Sequence, residues 1–281
     1  ISKKKKKIIE AQRVVFLDGA EAKGLARDKA TDLYDLILKF AGYGFNKSHS
    51  TGYAIVAYQT AYLKTWFPVQ YMAAVLTCES GAKKTEDWAP YLEDCRHTCF
   101  PDSTPDAPHV GIDIHPPSIN ISHADFTVAW DEGEVPSLTS GHIRFGLGAI
   151  KGVGKAAIDS IIEERARAGE YASLHDLCSR LSSRTVNRAT LEALIQSGAL
   201  DELHGAEQRA SMVASLDEAI SIGQSAAADK AAGQNTMFGM FEDNEAEDAP
   251  PEIALHRVEP WDTSETLERE RACLGFHVSG H

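Results

Sequence analysis

The sequence has no long apolar run and few cysteines. No stretch of its 281 residues reaches the roughly 18 consecutive apolar positions of a membrane-spanning helix. The lysine run near the N-terminus is followed by mixed residues rather than by the apolar core of a secretory signal. The five cysteines are scattered and odd in number, which is typical of a reducing compartment rather than of a disulfide framework. We therefore expect a cytoplasmic protein with no membrane partner.

Metal-binding patterns are also scarce. The run Cys95-x-His97-x-Cys99 has ligand residue types, but its spacing is not that of a usual zinc pair, and no second pair stands nearby. No Asp-x-Asp pair occurs anywhere in the chain. The sequence therefore predicts no metal site.

The charge is negative overall but unevenly distributed. The net charge is −13, yet residues 1–50 carry 11 Lys and Arg against 6 Asp and Glu, whereas residues 201–281 carry 5 against 17. The N-terminal part can therefore face phosphates, and the C-terminal part cannot easily do so. The run Lys3–Lys7 either contacts DNA or a triphosphate or is a solvated lysine run. The start at Ile1 leads us to expect a segment of a longer protein.

Apolar spacing predicts a mainly α fold, and the 43% of hydrophobic residues are enough to bury cores. The predicted helices are two within 8–40 separated near Gly24, one capped by Ser50 or Thr51 and ending near Trp66, one opened by Pro68, one over 88–99, and one within 207–232. Runs at 126–128 and 143–145 predict a small β-hairpin, residues 241–265 an acidic linker, and residues 267–278 a charged helix followed by a strand.

Residues 42–49 (GYGFNKSH) are a candidate nucleotide-binding loop. The glycines allow close backbone approach, Lys47 offers a charge for a phosphate, and a helix follows directly. Ser48 and His49 can bond to a sugar or phosphate, and the rings of Tyr43 and Phe45 can stack on a base. The alternative is a glycine-rich turn with a capping serine.

A second candidate is the run Lys151, Gly152, Val153, Gly154 and Lys155. A hydrophobic residue between two glycines, followed by an alanine-bearing helix, is the signature of a helix-hairpin-helix motif, whose backbone N–H groups hold DNA phosphates without reading sequence. A nucleotide-binding P-loop is excluded, because it needs Gly at position 149 and Ser or Thr at position 156. A second unit over 187–200 either repeats the hairpin or only caps a helix with glycine.

A family resemblance accounts for the first of these motifs. The block at 42–49 resembles, almost residue for residue, the fingers of C-family bacterial replicative DNA polymerases, the alpha subunits of DNA polymerase III. The similarity continues through Tyr53-Ala54, Tyr58-Gln59-Thr60, Tyr62-Leu63-Lys64, Pro68 and Met72-Ala73-Ala74. It favours the main replicative form over the error-prone paralogue. The stretches 99–111 and 132–141 are longer than the family's usual connectors, and we expect surface loops there.

The resemblance also explains Gln234, Met237 and Phe238, which lie between a predicted helix and the acidic linker. Their spacing is similar to that of the family's internal clamp-binding peptide, and exposed apolar residues after a glutamine suit insertion into a partner's pocket. The alternative is that the two apolar side chains pack back on their own domain.

The resemblance implies a DNA-directed DNA polymerase that extends a primer 3′ end with Mg²⁺. Tyr43, Asn46, Lys47, Ser48 and His49 would border the incoming dNTP. The partners would be primer–template DNA, the dNTP, the sliding clamp and other replicase subunits. Because the family's catalytic Asp-x-Asp pair is missing here, we expect no catalytic residue in this chain and no polymerisation by it alone.

The resemblance also implies a domain division. Residues 1–110 would be distal fingers, 111–205 a tandem helix-hairpin-helix region, and 206–281 a helix, the clamp peptide and a linker toward the next domain. The alternatives to the polymerase assignment are a non-enzymatic helix-hairpin-helix DNA-binding module and a clamp-interaction module.

Overall fold

A computed structural model describes residues 6–43, 47–82, 85–231 and 254–276 of the chain. The chain divides into two compact units, Ile1–Tyr62 and Leu63–His281. Helices dominate both units, and the strands form one small sheet, so the predicted mainly α fold is confirmed. No helix among the described residues is both long and apolar enough to span a membrane. The three domain bounds predicted from the sequence stay predictions.

The first unit contains a helical hairpin. Helices α1 (Lys6–Ala22) and α2 (Arg27–Tyr43) are joined by a turn in which Gly24 has a φ of 85°. This confirms the predicted pair of helices and the glycine that separates them. Tyr34 ties the pair together, because its buried ring lies on α2 and its hydroxyl donates to the carbonyl of Ile9 at 2.6 Å.

Helix α3 (Lys47–Trp66) begins earlier than the sequence predicts. The expected cap at Ser50 or Thr51 is wrong, since both residues lie inside the helix. The hydroxyl of Thr51 instead donates to the carbonyl of Lys47, one turn earlier, at 2.9 Å. The end at Trp66 agrees with the prediction. None of the helix's side chains is buried within the described residues.

After the end of α3, the second unit continues with α4 (Pro68–Ala82) and α5 (Thr85–His97). Pro68 opens α4 as predicted, because its missing N–H would have no helical partner at that position. The ring of Trp88 on α5 is buried and lies 6.0 Å from that of Phe126 and 6.4 Å from that of Phe145, measured between centroids. These aromatic contacts pack α5 against the strand region.

The sheet has three short strands, β1 (Ile114–His115), β2 (Thr127–Ala129) and β3 (His142–Arg144), in the order β1-β3-β2. Strands β2 and β3 pair antiparallel, with Val128 opposite Ile143, which confirms the predicted hairpin. Strand β1 pairs parallel with β3 and was not predicted. The buried side chain of Ile143 sits in this sheet and joins it to the core.

Seven further helices complete the second unit within the described residues. They are α6 (Lys155–Ala168), α7 (Leu174–Arg180), α8 (Arg188–Gln196), α9 (Asp201–His204), α10 (Arg209–Ala214), α11 (Leu216–Ala231) and α12 (Thr263–Leu274). Short 3₁₀ turns occur at Leu147–Ala149 and Ala206–Gln208. The helix of about 15 residues predicted within 207–232 is confirmed as α11, and the shorter α10, which was not predicted, precedes it with a break at Ser215. The start of α12 also shortens the predicted linker.

One hydrophobic core runs through the second unit, from Val69 on α4 to Leu274 on α12. Helices α7 and α11 approach closely within it. A side chain at Gly223 on α11 would overlap the carbonyl oxygen of Cys178 on α7, so the crossing requires glycine. Because Leu274 on α12 belongs to this core, α12 is part of the same folded unit as the predicted helix-hairpin-helix region.

Candidate nucleic-acid interface

The first predicted hairpin places an exposed turn at the start of a long helix. Gly152, Val153 and Gly154 lie between the 3₁₀ turn Leu147–Ala149 and α6. A single 3₁₀ turn therefore stands where a helix-hairpin-helix motif would have its first helix. Gly152 has a φ of 91°, in the region where residues with a side chain are strained. Val153 is only 8% exposed and anchors the turn in the core.

The 3₁₀ turn is held close to the loop that precedes β2. The N–H groups of Leu147 and Gly148 donate to the carbonyls of His123 and Ala124, each at 2.9 Å. A Cβ on Gly148 would lie 2.8 Å from the carbonyl oxygen of Ala124, so only glycine fits. Gly148 therefore serves packing, and because the N–H groups from Leu147 to Ile150 are all bonded, the donors still available lie after Ile150.

Four backbone donors at this turn have no acceptor within the described residues. They are the N–H groups of Gly152, Gly154, Lys155 and Ala156, whereas the N–H of Val153 bonds to the carbonyl of Ile150. All four residues are exposed. Helix N-termini leave such groups unpaired and carry a partial positive charge. The turn can therefore accept an anion such as a phosphate oxygen.

Two lysines flank these donors. Lys151 and Lys155 are exposed, and neither ammonium group forms an ion pair with another described residue. The backbone N–H of Lys151 donates to the carbonyl of Cys273 at the end of α12, at 2.9 Å. Lysine adds charge next to the donors without imposing a planar geometry, which suits contact with a phosphate backbone.

The second glycine turn, after α8, is built differently. Gly198 again has positive φ, at 83°, but Ser197, Gly198, Ala199 and Leu200 are all buried. The carbonyl of Ala199 accepts from the N–H of Ile119 at 2.7 Å, so the turn is bonded into the core. A turn that solvent does not reach does not contact phosphate in this conformation. Of the two readings left open by the sequence, the structure supports the structural one.

A buried charge network covers the second turn. The guanidinium of Arg209 donates to both carboxylate oxygens of Asp201, at 2.7 and 2.5 Å, and its Nη1 lies 3.8 Å from Oε1 of Glu270. None of these residues was predicted from the sequence. Nothing in their local sequence distinguishes them from surface charges, since Arg209 and Glu270 are 61 positions apart in the numbering.

Part of the predicted nucleotide-binding block lies in the first turn of α3. Lys47, Ser48 and His49 are exposed there, and the ring of His49 contacts that of Tyr53 edge-on with centroids 4.5 Å apart. Tyr43 ends α2, and its side chain lies outside the described residues, as does Asn46 altogether. The assignment of these five residues to a nucleotide stays a prediction.

The predicted clamp-binding residues Gln234, Met237 and Phe238 also lie outside the described residues. They follow the end of α11 at Ala231, and the described chain resumes at residue 254 before α12. Their role stays a prediction.

One group of possible metal ligands occurs among the described residues. His115, Asp131 and His142 offer ligand atoms within 4.8 Å of one another. However, Nη2 of Arg144 lies 3.4 Å from Nδ1 of His115 and 3.3 Å from Nε2 of His142, so the ring lone pairs accept from the guanidinium. Burial, together with the charge of Arg144, lowers the pKa of both histidines. The group is an arginine-bridged pair of neutral rings, stacked with centroids 3.6 Å apart.

The Cys95-x-His97-x-Cys99 run does not assemble a site either. Cys95 is fully buried, and burial raises the pKa of its thiol to about 12, whereas His97 and Cys99 are exposed. Cys95 therefore acts as a small apolar core residue.

Comparison with known proteins finds similarity both to a motif family and to a family of longer proteins. Residues 111–211 match the helix-hairpin-helix motif family. Over its whole length the chain is 38% identical to the DNA polymerase III alpha subunits of Vibrio cholerae and Escherichia coli K12, and equally to that of Deinococcus radiodurans. It spans 22% of the first two proteins and 19% of the third, about a fifth of their length. The family resemblance expected from the sequence is confirmed.

Proposed function

We propose that this chain is the segment of a bacterial replicative DNA polymerase alpha subunit that grips duplex DNA through its phosphates. The observation that carries the proposal is the group of exposed N–H groups of Gly152, Gly154, Lys155 and Ala156, which have no acceptor among the described residues and lie beside the side chains of Lys151 and Lys155. The helix-hairpin-helix match and the full-length similarity to DNA polymerase III alpha subunits support it. The parent enzyme would be a DNA-directed DNA polymerase that extends a primer 3′ end.

Backbone donors select for phosphate and not for sequence. Every nucleotide presents the same phosphate oxygens, so a turn of N–H groups fixes the protein on the duplex without reading base edges. The net charge of −13 does not prevent this, because the contact depends on the local field of the α6 N-terminus and its lysines. Binding should weaken as salt rises, since each neutralised phosphate releases counterions.

The experiment compares Lys155→Pro with Lys155→Ala. Both variants lose the ammonium group, but only proline also removes the backbone N–H. Proline is tolerated at the first helical position, and Gly154 already has the extended conformation that a residue before proline requires, with φ −80° and ψ 155°. We expect Lys155→Pro to bind duplexes of unrelated sequence more weakly than Lys155→Ala, with equal thermal stability. Equal affinities would refute phosphate binding by this row of donors.

The nucleotide-binding role rests on Tyr43, Asn46, Lys47, Ser48 and His49. The exposed start of α3 supports it, because Lys47 and the helix N-terminus both favour a triphosphate at that point. The Mg²⁺ that the polymerase needs would be held by carboxylates elsewhere in the enzyme, since no Asp-x-Asp pair occurs here.

This role is tested in the full-length polymerase. Lys47→Ala should raise the KM for dNTP, whereas Lys23→Ala, an exposed lysine in the turn after α1, should not. If the two variants behave alike, the site is wrong and a non-enzymatic DNA-binding module becomes the better interpretation of this segment.

The clamp-binding role rests on Gln234, Met237 and Phe238. It is supported by their order after the helix-hairpin-helix region and by the chain's similarity to the polymerase subunits. A double variant, Gln234→Ala with Phe238→Ala, should lose affinity for the sliding clamp while keeping affinity for duplex DNA. Unchanged clamp affinity would rule out this peptide as the tether.

A further inference from the structure

We propose that Glu270 on α12 is a positioning residue for the phosphate-binding turn. Its carboxylate fixes the register of α12 through Arg209, and α12 in turn fixes the start of the turn through the carbonyl of Cys273. The inference rests on the proposed function of the first hairpin. It assigns to α12 a role in DNA binding, although the sequence before this helix was predicted to be only an acidic linker.

The charge network is buried well enough to define one arrangement. Glu270 is 0% exposed and Arg209 is 3% exposed. Burial alone would lower the pKa of Arg209, but the hydrogen bonds and charge of Asp201, with the charge of Glu270, outweigh it and raise that pKa. The guanidinium therefore stays charged and requires its carboxylates, because a buried ion without partners is strongly unfavourable.

The neighbours of Glu270 make the register specific. Arg269 and Arg271 flank it on α12. A shift of α12 by one residue would turn the helix by about 100° and bring an arginine toward Arg209 in place of the carboxylate. The observed register is therefore favoured by the attraction between Glu270 and Arg209. A register shifted by one residue is disfavoured by repulsion between two arginines.

Cys273 transmits this register to the first hairpin. It lies three residues after Glu270, on the same side of the helix, and is 6% exposed. Its carbonyl accepts from the N–H of Lys151 at 2.9 Å, and its thiol donates to Oε1 of Gln196 on α8 at 3.4 Å. A Cβ at Gly152 would lie 3.4 Å from Cβ of Ala193, so the turn rests against α8 as well.

The two glycine turns are thus connected through Arg209 and α12. The second turn contacts the Arg209 network directly, because any side chain at Gly198 would overlap that guanidinium. The first turn is fixed one helical turn further along α12. When the carboxylate of Glu270 is lost, α12 can change register, Lys151 loses its acceptor, and the row of exposed donors is no longer held in a single geometry.

The experiment compares Glu270→Gln with Glu268→Gln in the whole chain. Both residues lie on α12 and both changes remove one negative charge, but Glu268 is exposed. We expect duplex affinity to fall about tenfold for Glu270→Gln, near the lower end of measured couplings between sites, and to stay within twofold for Glu268→Gln. Amide hydrogen exchange at Lys151 should speed up only in Glu270→Gln, with exchange at Ala157 unchanged.

Two results would overturn the inference. One is unchanged affinity in Glu270→Gln, and the other is lost affinity without faster exchange at Lys151. If Glu270→Gln does not fold, the pair Glu270→Met with Arg209→Met removes both charges while keeping the volume, and the same two effects are expected. Failure of the Lys155 comparison would instead refute phosphate binding itself, so the two proposals fail separately.

Discussion

Alanine at Gly152 should damage the first hairpin, whereas alanine at Gly154 should not. Gly152 has a φ of 91°, and a residue with a Cβ pays roughly 1–2 kcal/mol in left-handed backbone. The added Cβ would also press on Ala193 at 3.4 Å. Alanine also lowers the conformational entropy of the unfolded chain, which stabilises the fold by about 0.4–1 kcal/mol. The free energy of unfolding should therefore fall by about 1 kcal/mol. Gly154 has a φ of −80° and nothing within 4 Å of an added Cβ, but it is the N-cap of α6, where alanine is less favourable than glycine; this offsets the gain from restricting the unfolded chain, so the net change should be near zero.

Two measurements test this pair. Denaturant unfolding followed by circular dichroism gives the free energy of unfolding, and fluorescence anisotropy with a labelled duplex gives the affinity. Gly152→Ala should be less stable and should bind more weakly, because a distorted turn no longer aims its donors together. If Gly152→Ala is as stable and binds as tightly as Gly154→Ala, the positive-φ turn does not hold the phosphate-binding geometry.

Two further predictions concern stability. His175 is 8% exposed, its ring nitrogens have no hydrogen-bond partner among the described residues, and burial lowers its pKa. The unfolded chain then binds the proton more readily, so the free energy of unfolding should fall as pH drops through about 6.5, and His175→Leu should flatten this dependence in pH-resolved denaturation. Gly223→Ala should cost about 1–3 kcal/mol, because the α7–α11 crossing has no room. Gly81→Ala, in open space on α4, should instead stabilise by about 0.5 kcal/mol, and equal effects would contradict the packing argument.

Local signals predicted much of the fold. Gly24 between α1 and α2, Pro68 at the start of α4, and the glycine pair before α6 all act within a few residues of themselves, so the sequence alone places them. The start of α3 was predicted four to five residues late, because a cap at Ser50 or Thr51 would place the first helical residue at 51 or 52 instead of at Lys47.

Long-range contacts explain what the sequence could not predict. Strand β1 is two residues long and exists because it pairs with β3. The break between α10 and α11 at Ser215 contains no glycine or proline that would predict it from the sequence. The Ser215 hydroxyl accepts there from the N–H of His256, which is 41 positions away. The same holds for the site: the open first turn was recognisable from its glycines, but the burial of the second turn depends on Arg209 and on the return of α12.

The most direct test of the central claim is to follow the backbone amides by NMR as duplex DNA is added to the protein. The amide signals of Gly152, Gly154, Lys155 and Ala156 should shift, and the same set should respond to duplexes of unrelated sequence. The amide of Gly198 in the second, buried turn should stay unchanged. Shifts at the second turn with none at the first would contradict the account.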